Sequence, residues 1–423
     1  MSMSKMSRLV AVCSSIGLAA GGVAYTAYKG GEPVHARVTC SNQYKFPAGS
    51  NYPDILQHRN YMAQVLTPEM YNKLRSRTTP HGCTFDECIQ PGVDNPSNPH
   101  FKEVGCIAGD EESYEVFSEF FDKVIDERHE GYKPWDKHIK DMDYTKLKGG
   151  CLDDKFVLSS RVRTGRAIRG LRLPPSCTRA ERREVERVIV EALNTLHGEF
   201  KGRYYPLKKM AAEEHQKLVE EGFMFGKPTA PQYVAAGMTR DWPDARGLWA
   251  NDSKNFLVWI NERDHARIIS MQKGGNIAQT FMRYCKGVNL LEQEISKKGW
   301  DFMWNEHLGY MATSPADLGT GMRAGVHIKI PMLSKDPRFD LFLQAMHLQK
   351  RGTGGTDSPI VDDVYDISNS QRLGKSEVEL MQVLIKGVED IIKMEKELIK
   401  GGTIDRLLPA SVRDLYNKKN KTA

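Results

Sequence analysis

The chain contains the sequence SSRVRTGR at residues 159–166, in which Arg161 and Arg163 are separated by a single valine. The β-branched run at residues 156–162 is typical of a strand, and side chains in a strand alternate between its two faces. Arg161 and Arg163 are therefore expected side by side on one surface. Two guanidinium groups on one strand favour a phosphate, because arginine donates bidentately. A solvated strand face explains this segment alone equally well.

On the C-terminal side of this strand, short apolar runs alternate with long helical patterns. This alternation indicates an α/β domain. Its candidate strands are 156–162, 256–260, 266–270 and 326–330, and its candidate helices are 178–197, 274–298 and 376–398.

On the N-terminal side, helical spacing at residues 52–74 and 111–128 predicts a small helical domain. Thr67 is a candidate N-cap and Pro68 a first-turn residue, so a helix is expected to start there. Between the two blocks, residues 78–99 are rich in proline, glycine, asparagine and aspartate and predict a long loop. The polar stretch that follows, residues 131–154, is the candidate interdomain linker.

Composition narrows the class of ligand. The chain has 423 residues, 40% hydrophobic and 27% charged, with a net charge of +6. This charge is too small for a protein that coats nucleic acid, whereas anionic small molecules or anionic lipid fit it. Eight cysteines are spread singly without metal-ligand spacing, so neither zinc nor a disulfide framework is indicated.

The first 31 residues contain no aspartate or glutamate and include several serines. They are typical of an organelle import sequence, and the apolar run at residues 9–20 suits a secretory signal equally well. A membrane-spanning helix is less favoured, because Ser14, Ser15 and several glycines interrupt the apolar run.

Two further segments have phosphate-binding features. Residues 317–329 (DLGTGMRAGVHIK) imitate a dinucleotide fingerprint, but a strand-like pattern follows the glycines, which excludes that interpretation. Strand alternation instead puts Arg323, His327 and Lys329 on one face. In residues 350–357 (KRGTGGTD), Arg351 borders a glycine loop whose N–H groups could hold phosphate, although such a loop is also typical of a flexible linker.

Together these segments resemble the phosphagen kinases, of the mitochondrial creatine kinase type, over about residues 52–407. The motifs that match are GVDNP at 92–96, GDEESYE at 109–115, SSRVRTG at 159–165, RDWPDARG at 240–247, GTG at 319–321 and QKRGTGG at 349–355.

The resemblance implies an α+β fold: a small all-α domain, then an α/β domain with a mainly antiparallel, glutamine-synthetase-like sheet flanked by helices. It divides the chain into a transit peptide (1–36), an N-terminal helical domain (50–135), a linker (136–154), a catalytic domain (155–407) and a basic tail (408–423).

The activity implied is reversible transfer of the γ-phosphoryl group between ATP and a guanidino nitrogen. ATP and ADP are bound with Mg²⁺, which the nucleotide carries, so no protein metal site is expected. The family's nucleotide residues correspond to Ser159, Ser160, Arg161, Val162, Arg163, Arg267, Arg323, Arg351, Gly352, Thr353, Gly354, Gly355, Thr356 and Asp366.

For the guanidino substrate, the resemblance implies a pocket at Phe101, Arg128 and Thr356. The loop at residues 92–105 has the longer form found in kinases of small guanidino acids, which favours creatine. Phe101 is bulky where the family packs the N-methyl group of creatine, so glycocyamine, which lacks that methyl, is preferred modestly.

Two segments depart from the family, residues 261–265 and residues 313–317. A substrate-binding glutamate is replaced by Arg263, which leaves Glu262 or Asp264 as the substitute base. Repulsion between Arg263 and a substrate guanidinium at about 4 Å costs about 4 kcal/mol at an effective dielectric near 20. Ser314 stands where the family has a reactive cysteine, and Asp317 where it has asparagine. These changes leave a second hypothesis open: a catalytically impaired relative that binds nucleotide and bridges membranes as an oligomer.

The resemblance also implies a location and partners. Cleavage near Ala36 would deliver the protein to the mitochondrial intermembrane space, peripheral on the inner membrane. Trp300 matches an aromatic residue that packs dimers into octamers, although a core tryptophan explains it as well. The basic C-terminus would bind anionic inner-membrane lipid, with a frayed solvated tail as the alternative; no nucleic-acid partner is expected.

Overall fold

The computed structural model of the chain describes residues 37–38, 46–96, 102–353 and 360–422. The predicted transit peptide lies outside these residues. The helices of the described part are α1 (Ala48–Asn51), α2 (Tyr61–Val65), α3 (Pro68–Leu74), α4 (Phe85–Val93), α5 (Ser113–Val116), α6 (Ser118–Arg128), α7 (Arg179–Leu193), α8 (Ala212–Glu220), α9 (Pro231–Ala235), α10 (Ile277–Lys297), α11 (Phe339–Ala345), α12 (Glu377–Ile399) and α13 (Ala410–Thr422).

The strands of the same part are β1 (Arg37–Val38), β2 (Arg77–Thr78), β3 (Val157–Arg166), β4 (Gly202–Pro206), β5 (Gly247–Asn251), β6 (Phe256–Ile260), β7 (Ala266–Lys273), β8 (Trp304–Asn305), β9 (Gly309–Tyr310), β10 (Arg323–Lys329), β11 (Leu348–Arg351) and β12 (Val364–Asn369). The predicted fold class, a small helical domain followed by a domain with a large antiparallel sheet and flanking helices, is confirmed.

The start of α3 follows the predicted capping signal. Thr67 is the N-cap, its Oγ1 accepts a hydrogen bond from the Met70 N–H at 3.2 Å, and Pro68 occupies the first turn. The second predicted helical block is divided into α5 and α6.

The loop predicted at residues 78–99 is wrong over α4. Thr84 and Glu87 form a reciprocal capping box, with the Glu87 N–H donating to Thr84 Oγ1 (3.2 Å) and the Thr84 N–H donating to Glu87 Oε2 (2.8 Å). Phe85 and Ile89 are buried. This cap and the buried face stabilise a helix in spite of Pro91, which is buried near its C-terminal end.

Eight strands form the main sheet in the order β11-β12-β10-β3-β7-β6-β5-β4, and every neighbouring pair is antiparallel. Strand β3 lies at its centre, with β10 on one side and β7 on the other. Arg323 of β10 lies directly opposite Arg163, and Arg267 of β7 lies opposite Gly165. The register therefore brings the basic residues of three strands together.

The two faces of the sheet differ. Val162, Ile268 and Val326 belong to a buried core that includes the apolar sides of α7, α10 and α12. The opposite face carries Arg161 and Arg163, because side chains alternate along β3. Helices α7, α10 and α12 thus cover one face, and the face with the arginines is directed toward the smaller domain.

The N-terminal domain has its own core, in which Phe85 and Phe120 pack edge to face with centroids 5.2 Å apart. This core also includes Leu173, Leu318 and Leu373 of the larger domain. The two domains therefore share apolar packing beside the site described below.

Residues 136–154 run along the larger domain, where the Leu152 N–H donates to the Gly275 carbonyl at 3.0 Å. The C-terminal tail forms α13, in which Val412 is buried. Within the described ranges, we find no helix with the length and apolar character needed to cross a membrane.

Candidate functional site

A cavity of about 580 Å³ lies between the arginine face of the sheet and the N-terminal domain. Its described lining includes three acidic residues, Glu103, Asp264 and Asp317. Basic side chains outnumber them: Lys102, Arg128, Arg163, Arg263, Arg267, Arg323, Arg351 and Arg372. The excess of positive charge favours an anionic ligand.

Arg161 has buried donors that are unsatisfied. Nε and Nη2 of Arg161 are buried and have no hydrogen-bond partner among the described residues, and its guanidinium lies 5.5 Å from the ring centroid of Trp259. Burial lowers the pKa of Arg161 to about 10. Burial also lowers the pKa of Arg163, and the positive charges of Arg161 and Arg323 lower it further. Buried donors are nearly always paired in proteins, so the free donors of Arg161, beside the cation of Arg163, indicate an anion site.

Arg323 is held in place by β12. Its Nη2 lies 2.7 Å from Asp366 Oδ2, and its Nε donates to Ser368 Oγ at 3.1 Å. Burial lowers the pKa of Arg323 to about 10, although Asp366 acts in the opposite direction. Asp366 therefore holds Arg323 in place from the neighbouring strand β12, and it is not part of the cavity lining.

The other predicted nucleotide residues differ in position. Ser159 lies on the arginine face, whereas Ser160 donates to the Gly274 carbonyl (2.8 Å) and Val162 is buried in the core. Only the backbone of Ser160 and Val162 can reach a ligand on the arginine face. Gly352 and Thr353 directly follow β11, and predicted residues Gly354, Gly355, Thr356 and Phe101 lie outside the described residues.

The turn between β6 and β7 carries Glu262, Arg263 and Asp264. Asn261 begins it with a φ of 55°, a region that asparagine tolerates better than most residues. Its Nδ2 donates to the carbonyls of Arg182 and Ala245, both at 2.8 Å. These bonds fix the direction in which the three charged residues leave the sheet.

Arg263 lies in the cavity wall with several partners. Its Nη1 donates to the Tyr233 hydroxyl at 2.5 Å, and its Nε lies 3.4 Å from Glu262 Oε1. Burial alone would lower the pKa of Arg263, but Tyr233 and Glu262 outweigh it and raise the pKa. Arg263 is therefore a fixed cation, and it occupies one oxygen of Glu262.

Arg267 engages the two carboxylates on either side of Arg263. Its Nη1 lies 2.8 Å from Glu262 Oε2, and its Nη2 donates to Asp264 Oδ2 at 3.0 Å. Asp264 packs so closely on β3 that a Cβ at Gly165 would lie 2.5 Å from Asp264 Oδ2. Burial raises the pKa of Asp264, while Arg267 lowers it.

Ser314 lies on a segment that contacts both domains. Its Oγ accepts a hydrogen bond from the Ala316 N–H at 3.4 Å, which caps the short 3-10 turn Pro315–Asp317. The Tyr114 hydroxyl donates to the Ala312 carbonyl at 2.7 Å, and His129 Nε2 donates to the Pro315 carbonyl at 2.8 Å. Ser314 is thus placed in the cavity wall by residues of the N-terminal domain.

Arg128, predicted in the substrate pocket, lines the cavity from the end of α6. Arg372 and Tyr233 also line it but were not singled out from the sequence. Neither lies in a glycine-rich or arginine-paired motif. Only the tertiary fold brings them to the site.

Within the part of the chain that the structure describes, no group of three or more histidine, cysteine, aspartate or glutamate residues is placed to hold a metal ion. The unpaired arginine donors fit phosphate oxygens.

Two family models match the chain. One, described as the ATP:guanido phosphotransferase C-terminal catalytic domain, matches residues 184–398. The other, described as the ATP:guanido phosphotransferase N-terminal domain, matches residues 56–126.

Similar proteins agree with these models. The chain is 56% identical to creatine kinase M-type of Gallus gallus over 370 residues, covering 87% of this chain and 97% of that protein. It is also 56% identical to creatine kinase M-type of Homo sapiens over 372 residues, with 87% and 98% covered.

Among solved structures, a lombricine kinase superposes with a TM-score of 0.83 at 51% identity, covering 87% of this chain and all (100%) of that one. A duplicated taurocyamine kinase from Schistosoma mansoni with bound transition state analogue components gives a TM-score of 0.74 at 37% identity. That match covers 80% of this chain and 46% of the duplicated one.

Proposed function

Because the chain belongs to the ATP:guanido phosphotransferase family and is creatine kinase-like, we propose that it reversibly transfers the γ-phosphoryl group of MgATP to a small guanidino compound. The observation that carries this proposal is the set of arginines on three adjacent strands, with the buried, unpartnered donors of Arg161 at its centre.

The chemistry needs little more than positioned charge. A phosphoryl group in transfer spreads negative charge over its equatorial oxygens, and fixed cations in a cavity stabilise that charge without reorganisation. Arg161, Arg163, Arg267, Arg323 and Arg351 are proposed to supply those cations. Asp366 keeps Arg323 in the required orientation through its 2.7 Å ion pair.

Creatine or a close analogue such as glycocyamine is the acceptor that we propose. The similarity to creatine kinases and the longer loop at residues 92–105 support this choice. Lombricine and taurocyamine belong in the same test, because the solved structures similar to this chain are named for those substrates.

We further propose that the protein works in the mitochondrial intermembrane space as a dimer or octamer attached to anionic lipid. The acid-free first 31 residues support import, and Trp300, which is only partly buried against the large core, supports octamer contacts. Helix α13 includes Arg413 and Lys418, each of which would add about 1 kcal/mol of attraction near an anionic surface.

A second candidate function rests on Arg263. Its guanidinium is fixed beside Glu262 and Tyr233 in the same cavity, where a cationic substrate would meet a like charge. A protein with this site would bind nucleotide through the strand arginines, turn over slowly or not at all, and serve as an oligomer that bridges membranes.

A coupled assay of ADP release separates the two candidates. Purified protein is supplied with MgATP and, in turn, creatine, glycocyamine, taurocyamine, lombricine and arginine, beside the double variant Arg263→Glu, Ser314→Cys. We expect wild-type turnover with at least one compound and faster turnover by the variant.

Turnover by the variant alone, together with a higher melting temperature of the wild type in MgADP, would favour the nucleotide-binding structural role. No turnover by either protein would contradict the proposed kinase activity.

A further inference from the structure

Two of the acidic side chains nearest Arg263 are already engaged. Both oxygens of Glu262 face arginine nitrogens, Arg267 Nη1 at 2.8 Å and Arg263 Nε at 3.4 Å. Asp264 is 4% exposed, and its Oδ2 accepts from Arg267 at 3.0 Å. Both oxygens of Glu262 are therefore occupied, and Asp264 is too buried to present an open edge to the middle of the cavity.

Asp317 is arranged differently. One of its oxygens, Oδ1, accepts from Arg372 Nη1, while Oδ2 has no hydrogen-bond partner among the described residues. The side chain is 29% exposed and lines the cavity, so this second oxygen is available to a ligand.

The backbone holds Asp317 in this position. Its N–H donates to the Ser314 carbonyl at 2.9 Å, and Arg372 Nη1 also donates to the Ala316 carbonyl at 2.7 Å. Because His129 fixes the same turn to the N-terminal domain, the carboxylate is preorganised rather than mobile.

The charges around Asp317 keep it ionised. Burial alone would raise the pKa of Asp317, but Arg372, Arg263 and Arg267 together lower it well below its usual range. A permanent carboxylate with one open oxygen is the group that binds a guanidinium cation by charge-assisted hydrogen bonds.

We propose that Asp317 is the carboxylate that binds the guanidinium of the acceptor, in place of the residue at position 263. This assignment rests on the proposed kinase function and names the part of the cavity that selects a guanidino substrate. Arg263 does not block the site, because its guanidinium is turned to Tyr233 and Glu262. Arg372 acts as a positioning residue, through Oδ1 of Asp317.

The test compares Asp317→Asn with wild type, using as acceptor the compound from the proposed panel that wild type turns over fastest. Asn keeps the shape and removes the charge. We expect KM for the guanidino compound to rise by about 30- to 1,000-fold, the usual loss when one member of a buried charge pair is removed. The dissociation constant for MgADP, measured by calorimetry, should not rise, because none of its arginines is substituted and loss of the Asp317 charge leaves their surroundings more positive.

Two further variants make the result specific. Asp336→Asn is the matched control, because Asp336 is a half-buried carboxylate paired with Arg338 (2.8 Å) and is not part of the cavity lining. Its KM should equal that of wild type. Adding Arg263→Glu to Asp317→Asn should restore a low KM, since a carboxylate then returns to the cavity.

An unchanged KM in Asp317→Asn, or a rise matched by an equal loss of MgADP affinity, would overturn the assignment while leaving the kinase function intact. If wild type turns over no guanidino compound at all, the kinase function fails and the assignment fails with it. The wild-type rate therefore distinguishes the two failures.

Discussion

Arginine side chains supply most of the charge in the cavity, and their separate contributions can be measured by substitution. Nε and Nη2 of Arg161 have no hydrogen-bond partner among the described residues, whereas Arg323 and Arg372 are each paired with an aspartate. The unpaired donors of Arg161 are suited to bind phosphate, and the two paired arginines are suited to stay in place while the ligands exchange.

For Arg323, we predict that Arg323→Gln lowers kcat by about 100- to 1,000-fold, the effect of removing one donor that stabilises transition-state charge. The affinity for MgADP should also fall. Steady-state kinetics and calorimetry measure both. Arg338→Gln is the matched control, since Arg338 pairs with Asp336 and Asp405 away from the cavity; equal rates for the two variants would refute the role of Arg323.

For Gly165, we predict that Gly165→Ala lowers the free energy of unfolding by about 1–3 kcal/mol, because the added methyl would meet Asp264 Oδ2 at 2.5 Å. Turnover should fall as Asp264 is displaced from Arg267. Urea denaturation measures the first effect. Gly226→Ala, where the nearest atom is 4.0 Å away, is the control, and equal stability of both variants would show that Asp264 tolerates the methyl.

For individual residues, the sequence predicts that arginines meet on one face of the sheet, because strand alternation alone places Arg161 beside Arg163. It does not predict their partners. Arg263 meets Tyr233 across 30 residues of sequence, and Arg372 meets Asp317 across 55. Such contacts depend on the packing of separate elements, about which local spacing has no information.

Among the elements, α4 and the β6–β7 turn matter most to the site. Helix α4 carries Pro91, which lines the cavity, and the Cys88 carbonyl accepts the Ile107 N–H at 2.9 Å. This bond attaches the cavity segment at residues 102–107 to the helical domain.

We predict that Thr84→Ala destabilises the protein by about 1 kcal/mol, because the N-cap hydrogen bond to Glu87 is lost. Thr84→Ser keeps the hydroxyl and should remain close to wild type. Urea unfolding of the three proteins checks this, and identical midpoints for Ala and Ser would contradict the capping role.

The long helices α7, α10 and α12 and the strands β6, β7 and β10 agree with the sequence patterns to within a few residues. Helix α4 does not, because the prolines and glycines of residues 78–99 indicate a loop and outweigh the capping signal. Thr84 and Glu87 have the spacing of a capping box, and this local signal identifies the start of α4.

For the molecule as a whole, the two domains share an apolar core, and buried histidines lie near their contact. His129 donates to the Pro315 carbonyl, and His138 Nδ1 accepts from the Gly374 N–H at 3.2 Å. Burial lowers the pKa of His129 to about 3, and lowers the pKa values of His138 and His265 to about 4.

We therefore predict that stability falls as the pH drops from about 6.5 toward 4. In this window the unfolded chain binds protons at these histidines and the native chain does not, so each contributes about 1.4 kcal/mol per pH unit. Urea unfolding at pH 7, 6 and 5 measures the slope. His138→Gln should reduce it, whereas His197→Gln, at an exposed position, should not; equal slopes in both would exclude His138 as a source.

The family, the fold and the arginine cavity all support the proposed reaction, the formation of a nitrogen–phosphorus bond from MgATP. The most direct measurement is phosphorus NMR of wild-type protein with MgATP and creatine, and separately with glycocyamine. We expect a new phosphagen resonance that grows as the γ-phosphate signal declines and that reverses when ADP is added in excess. An unchanged spectrum with both compounds, from protein that still binds MgADP, would contradict it.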